Sequence, residues 1–439
     1  MGTGLVLRVL PLLLWGATGC LRDECTYKDL AKNIVKGHGL MAHEGWLWAP
    51  GWPYTLAAFQ VVFGTVHAAR SLQVAASVLS IGILASLVRR LADERAGRLA
   101  AWMLALHATF AWFAGSLFSE VVYTALLLLA AWSLLWSRDG RATRALLPGL
   151  LVGACVLFRG VATYMGPIFV VAALWPVGES LFQAFKARWG HALAFAFALF
   201  LSVAPYSLYA SNRHHGFVIT DATLGQMMWL GDNNFPPMSF DWGSGQIDDA
   251  TYDAYARIGR RHCPTKLPAP AWDRCERDNG VAWIKQNPGE FLARVPVRLA
   301  QLVTPHTFLT RHVRLGRWPG LPFEVKEPLL LSVAATSFAV ILGGGAAGFL
   351  RGKGPFGLLA AGVVAYHMLA IAMLAGMSRY RLPLEPFGLA FLAIACSDAR
   401  GTLAVARAEP VRVVLAALWV LALLPLMLRT LPDGFPGWR

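Results

Sequence analysis

The chain has 439 residues, of which 56% are hydrophobic and only 15% are charged. Such a composition excludes an ordinary soluble domain and indicates a polytopic membrane protein. The formal net charge of +14 does not indicate binding to nucleic acid, because the basic residues are scattered among apolar runs and form no dense patch. Lysine and arginine normally occur in this way at the cytoplasmic ends of membrane spans.

The first apolar run, at 4–21, has two interpretations. A lone Arg8 before an apolar core is typical of a signal peptide, and the sequence ATGC at 17–20 is similar to a lipoprotein cleavage box. Many more apolar runs follow, however, and an uncleaved first helix is usual in a polytopic protein. We therefore expect this run to remain as the first span.

Further apolar runs long enough to cross a bilayer follow along the whole chain. They lie near 70–88, 99–115, 119–136, 190–210, 328–350, 355–376 and 411–429, with a shorter run at 384–397. The run at 146–175 is too long for one span and is interrupted by FRG at 158–160, so we predict two short helices that meet at Arg159. The sequence thus predicts an all-α membrane protein with about eleven transmembrane helices.

Loop charges predict the orientation of these helices. Residues 51–66 are short for a span, and if they lie in the membrane interface, all the strongly basic loops fall on the side of the N-terminus. We therefore predict that the N-terminus is inside and the C-terminus outside. Five segments then meet at the outer face: the first loop at 22–69, GSLFSE at 115–120, the tip at Arg159, the long loop at 211–327 and SRYRLPLEP at 378–386.

The same pattern divides the chain into three parts. Residues 1–210 form an N-terminal transmembrane module, 211–327 a long outer loop and 328–439 the C-terminal helices. In the long loop, a disulfide can join Cys263 and Cys275 if the loop is exported. An amphipathic helix ends this loop and is expected to lie along the membrane surface, with one apolar face that comprises Phe291, Leu292, Val295, Leu299 and Leu302.

The first outer loop begins with RDECTYKDLAKNIVKGHG, which predicts a short interfacial helix. Its apolar stripe consists of Tyr27, Leu30, Ala31, Ile34 and Val35, and Gly37 and Gly39 supply a stop signal. Asp23 and Glu24 stand at the start of this helix. Taken alone, they are explained as carboxylates that stabilise a helix N-terminus.

Other ionisable residues occur at the same predicted level of the membrane, namely Glu120, Arg159, Arg379 and Arg381. Ionisable groups at such depths are energetically costly and usually functional. Each also has a simpler interpretation, since Glu120 can be a helix-start carboxylate and the arginines can anchor span ends. An Arg-x-Arg sequence followed by Leu-Pro nevertheless forms a rigid basic corner that suits a phosphate.

No cofactor is predicted. The sequence contains no CxxC or HExxH motif. His38, His43 and Glu44 on the first loop could bind a divalent metal ion, but a solvated loop is the favoured interpretation of these residues.

The order of several motifs is similar to that of a known class of enzymes. The motifs are RDECTYKDLAKNIVKGHG, APGWPYTLAAFQVVFG, RSLQVAASVLSIGILASLVRRL, GSLFSE, APYSLYASNRHHGFVIT, NPGEFLARVPVRLAQLVTP and SRYRLPLEPF. Together they resemble the GT-C class of membrane glycosyltransferases, in particular the bacterial relatives of protein O-mannosyltransferases and of the aminoarabinose lipid A transferase. Many of these relatives have Arg-Pro where this chain has FRG at 158–160.

This resemblance implies a GT-C-like bundle in which the first outer loop forms membrane-surface helices and carries the catalytic aspartate, here Asp23. It also implies that the donor is a sugar linked to a polyprenyl phosphate. The leaving phosphate has a second pKa of about 6 and needs little protonation. Such a reaction requires a base for the acceptor and cations for the phosphate.

The predicted site residues follow from this chemistry. The catalytic carboxylates are Asp23, as the base, and Glu120, as a contact to sugar or acceptor; the substrate-binding residues are Glu24, Tyr27, Arg159, Arg379, Tyr380 and Arg381, with Arg379 and Arg381 as the phosphate clamp. Attack opposite the leaving group would invert the anomeric centre.

The predicted function is transfer of a sugar from a polyprenyl-phosphate donor to an envelope glycolipid, glycan or protein at the outer face of the inner (plasma) membrane. Two alternatives stay open. A transporter or lipid-linked-sugar flippase would use the same charged residues to line a path, and an assembly or scaffold protein would use them for contacts.

Overall fold

The computed structural model describes residues 1–15, 23–40, 46–232, 263–264, 267–305, 310, 313 and 322–430. The helices of the first half are α1 (Gly2–Trp15), α2 (Asp23–Val35), α3 (Gly51–Phe63), α4 (Ala69–Leu91), α5 (Glu94–Ala105), α6 (Ala108–Phe113), α7 (Glu120–Arg138), α8 (Leu146–Phe158), α9 (Gly166–Leu174) and α10 (Leu181–Arg213). Those of the second half are α11 (Leu224–Gly231), α12 (Ala269–Gln286), α13 (Pro288–Val303), α14 (Phe323–Phe338), α15 (Gly345–Arg351), α16 (Gly354–Met373), α17 (Glu385–Ser397), α18 (Ala399–Ala408) and α19 (Pro410–Arg429). Extended pairing within the described ranges is limited to an isolated antiparallel bridge between Leu47 and Ala222, so the all-α prediction is confirmed.

Six helices in the described part of the chain are long and apolar enough to cross a membrane, or seven if the bent pair α17 and α18 forms one span. The six are Val66–Leu91, Glu120–Arg138, Leu181–Arg213, Glu324–Arg351, Gly354–Met373 and Pro410–Arg429. The protein is therefore a multi-pass membrane protein. Helices α1 and α5 have only 14 and 12 residues, below the length of a full span, so the count of about eleven stays a prediction, as does the division of the chain at 210 and 327.

The N-terminal helix is attached to the bundle by a buried arginine. Arg8 is fully buried, and its guanidinium donates to the Ser77 hydroxyl at 2.6 Å and to the Leu104 carbonyl at 3.0 Å. Carbonyls in the last turn of a helix have no partner within that helix. The end of α5 therefore supplies the acceptors that a buried guanidinium needs.

The described part of the first loop contains the short helix that the sequence predicts, although Val35 of its predicted apolar stripe is 46% exposed. Helix α2 buries Tyr27, Leu30 and Ala31 against the bundle, and it is followed by Gly37 and Gly39, whose φ angles of 80° and 82° favour glycine. Helix α3 has 13 residues and a length of about 20 Å. Since the hydrocarbon core is about 30 Å thick, this length agrees with the interpretation that residues 51–66 do not cross the membrane.

The short hairpin at Arg159 is also present. Helices α8 and α9 are joined by a tight turn at Gly160–Ala162, and Arg159 itself is extended, with φ −150° and ψ 121°. Each of the two helices is too short to be a full span. The tip therefore lies inside the outline of the bundle.

Helix α13 directs Leu292 outward and its two arginines inward. Leu292 is 65% exposed, whereas Arg294 and Arg298 are 3% and 4% exposed. Arg294 donates to the Gly231 carbonyl at 2.9 Å, and Arg298 donates to the Asp232 carboxylate at 2.5 Å. Leu302, which was predicted on the same apolar face as Leu292, is only 2% exposed, so a position of the helix along the membrane surface stays a prediction. A disulfide joins Cys263 to Cys275 in the same loop.

Ion pairs group the basic loops as the predicted topology requires. Arg90 pairs with Asp139, Arg351 with Asp398 at 3.1 Å, and Lys353 with Glu409 at 2.8 Å. The first pair joins the loop after α4 to the loop after α7, and the other two join the loop after α15 to the segments beside α18. These loops were all predicted to lie on the N-terminal side.

Candidate active site

A cavity of about 1010 Å³ opens where the predicted outer segments meet. Its wall is formed by the start of α2, residues 46–49, the tip between α8 and α9, the stretch 217–230, part of α12 and the stretch 366–383. Small-molecule sites commonly have volumes of roughly 300–1,000 Å³. The cavity is therefore large enough for a sugar head group together with part of an acceptor.

Asp23 and Arg379 form an ion pair in this wall. Asp23 is the first residue of α2, where a carboxylate is favoured by the helix dipole, and its Oδ2 accepts a hydrogen bond from Arg379 Nη2 at 2.5 Å. The Asp23 side chain keeps 26% of its surface exposed. Two residues that are 356 positions apart and were predicted separately as base and phosphate ligand are thus in direct contact.

A second ion pair lies directly behind the first. Glu120 Oε1 is 2.8 Å from Arg159 Nη1 and 3.7 Å from Arg379 Nε. Glu120 is 1% exposed and is not part of the cavity wall, whereas Arg159 is. Because a buried charge is stable only when it is paired, this carboxylate holds both arginines in place.

Aromatic and hydroxyl groups complete the charged array. The Tyr380 ring lies between the two arginines, with its centroid 5.7 Å from Arg159 Cζ and 5.4 Å from Arg379 Cζ, which is within cation–π range. The Ser119 hydroxyl accepts a hydrogen bond from Arg159 at 3.1 Å and lies 3.4 Å from the Tyr27 hydroxyl. Four residues that the sequence predicted, Tyr27, Arg159, Arg379 and Tyr380, therefore share one wall with Asp23.

Comparison with known proteins gives a family match for part of the chain and a fold match for nearly all of it. Residues 48–206 match the family model of dolichyl-phosphate-mannose-protein mannosyltransferases. No curated protein sequence matches the chain. The matched residues include Glu120 and Arg159, whereas Asp23 and Arg379 lie outside the match.

Two similar solved structures are of the oligosaccharyltransferase of Archaeoglobus fulgidus. AglB in complex with an inhibitory peptide and a dolichol-phosphate has a TM-score of 0.52 at 15% identity, covering 98% of this chain and 54% of that chain. The complex with Zn and sulfate has a TM-score of 0.50 at 15% identity, with 98% and 51% covered. ArnT from Cupriavidus metallidurans bound to undecaprenyl phosphate has a TM-score of 0.43 at 15% identity, with 91% and 78% covered.

The chain has the fold of a GT-C membrane glycosyltransferase. The resemblance predicted from the motifs is thus confirmed at the level of the fold and, for residues 48–206, by the family model. This chain spans about half the length of the archaeal oligosaccharyltransferase chains.

Within this GT-C fold, Arg381 differs from its predicted role. It is buried, and its guanidinium donates to Glu385 Oε1 at 2.7 Å, to the Ser337 hydroxyl at 2.6 Å and to the Leu302 carbonyl at 3.0 Å. It is not part of the cavity wall. Arg379 and Arg381 lie in a 3₁₀ turn, which has three residues per turn, so side chains two residues apart point in different directions. Arg381 therefore joins α13 and α17 and does not complete a phosphate clamp.

Glu24 is also placed differently from its prediction. Its side chain is buried, lies outside the cavity wall and accepts a hydrogen bond from the Leu117 backbone amide. Adjacent helical residues point about 100° apart, so Asp23 reaches the cavity and Glu24 reaches the turn before α7. The geometry argues against contact of Glu24 with substrate. The buried Glu120 likewise contacts Arg159 and Arg379 and does not line the cavity.

One carboxylate in the cavity wall was not predicted. Asp221 lies next to the Arg159 tip, because a Cβ atom at Gly160 would collide with its carboxyl group. Burial raises the pKa of Asp221 to about 6, although hydrogen bonds from Thr223 and Thr220 oppose the shift. The only sequence signal is its rarity, since Glu179 is the sole other acidic residue between 140 and 221.

The alternative of a metal ion stays untested. Among the residues that the structure describes, no group of three or more His, Cys, Asp or Glu side chains could hold a metal ion. His43 and Glu44, two of the three residues considered from the sequence, lie outside the described residues. His38 is described and is exposed.

Proposed function

We propose that the protein transfers a sugar from a polyprenyl-phosphate donor to a glycolipid, glycan or protein acceptor. The observation that carries this proposal is the contact between Asp23 and Arg379 in the wall of a cavity at the predicted membrane surface. A base and a cation are the two groups that transfer from a sugar phosphate needs. The family model is named after dolichyl-phosphate-mannose, and the similar archaeal structure contains a dolichol-phosphate, which supports a lipid-phosphate donor.

Donor binding explains why the base is paired in this structure. Arg159 and Arg379 both line the cavity, and a phosphate group forms strong charge-assisted hydrogen bonds with guanidinium groups. A donor phosphate that takes hydrogen bonds from Arg379 competes with Asp23 for them. Asp23 is then released from Arg379 when donor binds and can accept a proton from the acceptor.

The acceptor reacts from the side of Asp23. Its hydroxyl or amine gives a proton to the Asp23 carboxylate as the new bond to the anomeric carbon forms, and the lipid phosphate leaves toward Arg159 and Arg379. Because the phosphate needs little protonation as it leaves, no second acid is required. One displacement opposite the leaving group inverts the anomeric centre.

The cavity is proposed to face the periplasm or exterior of the inner (plasma) membrane. Two observations support this orientation. Ion pairs join Arg90 to Asp139 and Lys353 to Glu409, so loops that the positive-inside rule assigns to one side are neighbours in pairs. The Cys263–Cys275 disulfide belongs to an oxidising compartment.

A reporter that is active only outside the cytoplasm tests this orientation. Fused after Arg70, at the start of α4, it should be active, because the whole first loop is then exported. Fused within 92–97, after α4 has crossed, it should be inactive. The reverse pattern would show that residues 51–66 cross the membrane and that the cavity has been assigned to the wrong side.

The enzymatic activity is tested with purified protein and a panel of polyprenyl-phosphate hexoses and pentoses. At least one donor should release polyprenyl phosphate, measured by mass spectrometry of the extracted lipid. Reconstituted vesicles provide the contrasting measurement. If intact lipid-linked sugar moves across the bilayer and no donor is cleaved, the protein is a flippase and the proposed activity is wrong.

A further inference from the structure

Beyond the Arg159 tip, the cavity wall contains a carboxyl group that the proposed mechanism does not use. Asp221 lies between α10 and α11, and its Oδ2 accepts a hydrogen bond from the Thr223 hydroxyl at 2.8 Å. The Thr220 hydroxyl is 3.5 Å from its Oδ1. No lysine or arginine among the described residues forms an ion pair with it. Two acceptor oxygens are thus held at the cavity without a cation.

The position of this carboxyl group depends on the residue after Arg159. A side chain as small as that of alanine at Gly160 would overlap both Asp221 carboxyl oxygens. The φ angle of Gly160 is not positive, so its backbone conformation does not demand glycine. The missing side chain at residue 160 therefore provides the space for Asp221, directly beside the arginine proposed to hold the donor phosphate.

Backbone contacts fix Asp221 in this place. The amide of its neighbour Ala222 donates to the Leu47 carbonyl at 2.8 Å, which joins this segment to the first loop. The Val218 carbonyl accepts a hydrogen bond from Ser207 of α10 at 2.6 Å. A carboxyl group on a backbone held from two sides is pre-organised for a ligand.

The other acidic residue on this side of the cavity is already engaged. Asp273 of α12 accepts a hydrogen bond from the Gly225 amide at 2.7 Å, so it holds the start of α11. The Asp221 side chain accepts hydrogen bonds from the Thr223 and Thr220 hydroxyls and from its own backbone amide, all within its own loop. Since an ionised carboxylate offers about four acceptor sites, Asp221 retains capacity for a hydrogen bond from a ligand.

We propose that Asp221 recognises the donor sugar by accepting a hydrogen bond from a hydroxyl or ammonium group of that sugar. This inference rests on the proposed transferase function. We assign the sugar, and not the acceptor, as the ligand of Asp221 because the sugar is bonded to the phosphate that Arg159 is proposed to hold. Gly160 is the next residue after Arg159, and the Asp221 carboxyl group lies beside it. Carboxylates accept hydrogen bonds from such groups more strongly than neutral acceptors do.

Two variants test this role from different sides. Asp221→Asn removes the charge, and Gly160→Ala keeps the carboxylate but displaces it. For each we expect kcat/KM with the preferred donor to fall about ten- to a hundredfold, as the loss of a hydrogen bond to a charged group implies. The affinity for polyprenyl phosphate without a sugar should stay at the wild-type value.

The deciding measurement uses donors that lack one hydroxyl or carry one amino group in its place. The donor without the contacted group should be a poorer substrate for the wild type, yet be used equally by the wild type and Asp221→Asn. Matched controls are Asp278→Asn, whose side chain is 72% exposed, and Gly289→Ala, which has no atom within 4 Å of the added Cβ. Neither control should change the preference among donors.

Unchanged donor preference in both Asp221→Asn and Gly160→Ala would overturn the inference about Asp221. If the wild-type protein cleaves donor in the same assay, the transferase function is nevertheless retained. If the wild type cleaves no donor, the proposed function fails first and this inference fails with it. If Asp221→Asn does not fold, as judged by its melting temperature, Gly160→Ala decides alone.

Discussion

Asp23→Asn is expected to lower the rate of sugar transfer by a factor of roughly a hundred to ten thousand, the usual contribution of a positioned base. The substitution keeps the size of the side chain and one oxygen that can accept a hydrogen bond from Arg379. It removes the negative charge that accepts the proton. Folding and donor binding should change little, since the rest of the charged array, Glu120, Arg159 and Arg379, remains. The rate is measured with purified protein at saturating donor and acceptor.

The matched control for this variant lies on the same helix. Asp29 is 48% exposed and pairs with Lys32 at 3.1 Å, and an exposed pair of this kind contributes little. Asp29→Asn should therefore transfer sugar at the wild-type rate. Near-normal transfer by Asp23→Asn would exclude Asp23 as the base.

Arg379→Gln is expected to lower kcat/KM by roughly a hundred- to a thousandfold, which is the typical effect of removing one group that stabilises developing charge. Glutamine retains hydrogen-bond donors but lacks the positive charge that the leaving phosphate requires. The affinity for sugar-free polyprenyl phosphate should fall as well, because the proposed contact is to the phosphate. Arg379→Lys should recover only part of the activity, since an ammonium group lacks the planar fork of a guanidinium.

Two further arginine variants separate this effect from a general one. Arg89→Gln, with a side chain that is 60% exposed in its pair with Glu94, should leave activity and lipid affinity unchanged. Arg381→Gln should lower the melting temperature, because it breaks a buried network, without a specific loss of phosphate affinity in the protein that remains folded. Wild-type affinity for polyprenyl phosphate in Arg379→Gln would show that Arg379 does not hold the phosphate.

The closeness of Arg159 and Arg379 explains why a carboxylate, that of Glu120, is buried behind them. An arginine pair facing a cavity without a counter-charge would repel itself, and Glu120 lies within 4 Å of both guanidinium groups. Its carboxylate thus permits two arginines to stand side by side before any phosphate is bound. A positioning role of this kind predicts that Glu120 affects donor affinity through both arginines together.

Local properties of the chain were sufficient to predict the all-α fold and some of its turns. The break of the apolar run at FRG predicted the hairpin at Arg159, and the glycines after Val35 predicted the end of α2, since both features depend on a few neighbouring residues. A disulfide between Cys263 and Cys275, which the sequence allowed if their loop is exported, is present in the structure. The sequence also predicted Asp23 directly after the first apolar run and Arg379 in a basic corner.

Only the tertiary structure decided which of these charges face the cavity. Arg379 contacts Asp23 while Arg381 contacts Glu385, and Asp23 lines the cavity while Glu24 holds the turn before α7. The place of Asp221 in the cavity wall is evident only in the folded protein, where Gly160, 61 residues earlier in the chain, leaves space for the Asp221 carboxyl group. A buried charge pairs with whichever group the packing of distant helices brings within hydrogen-bond distance. The distance between two such groups cannot be read from residue type or from spacing along the chain.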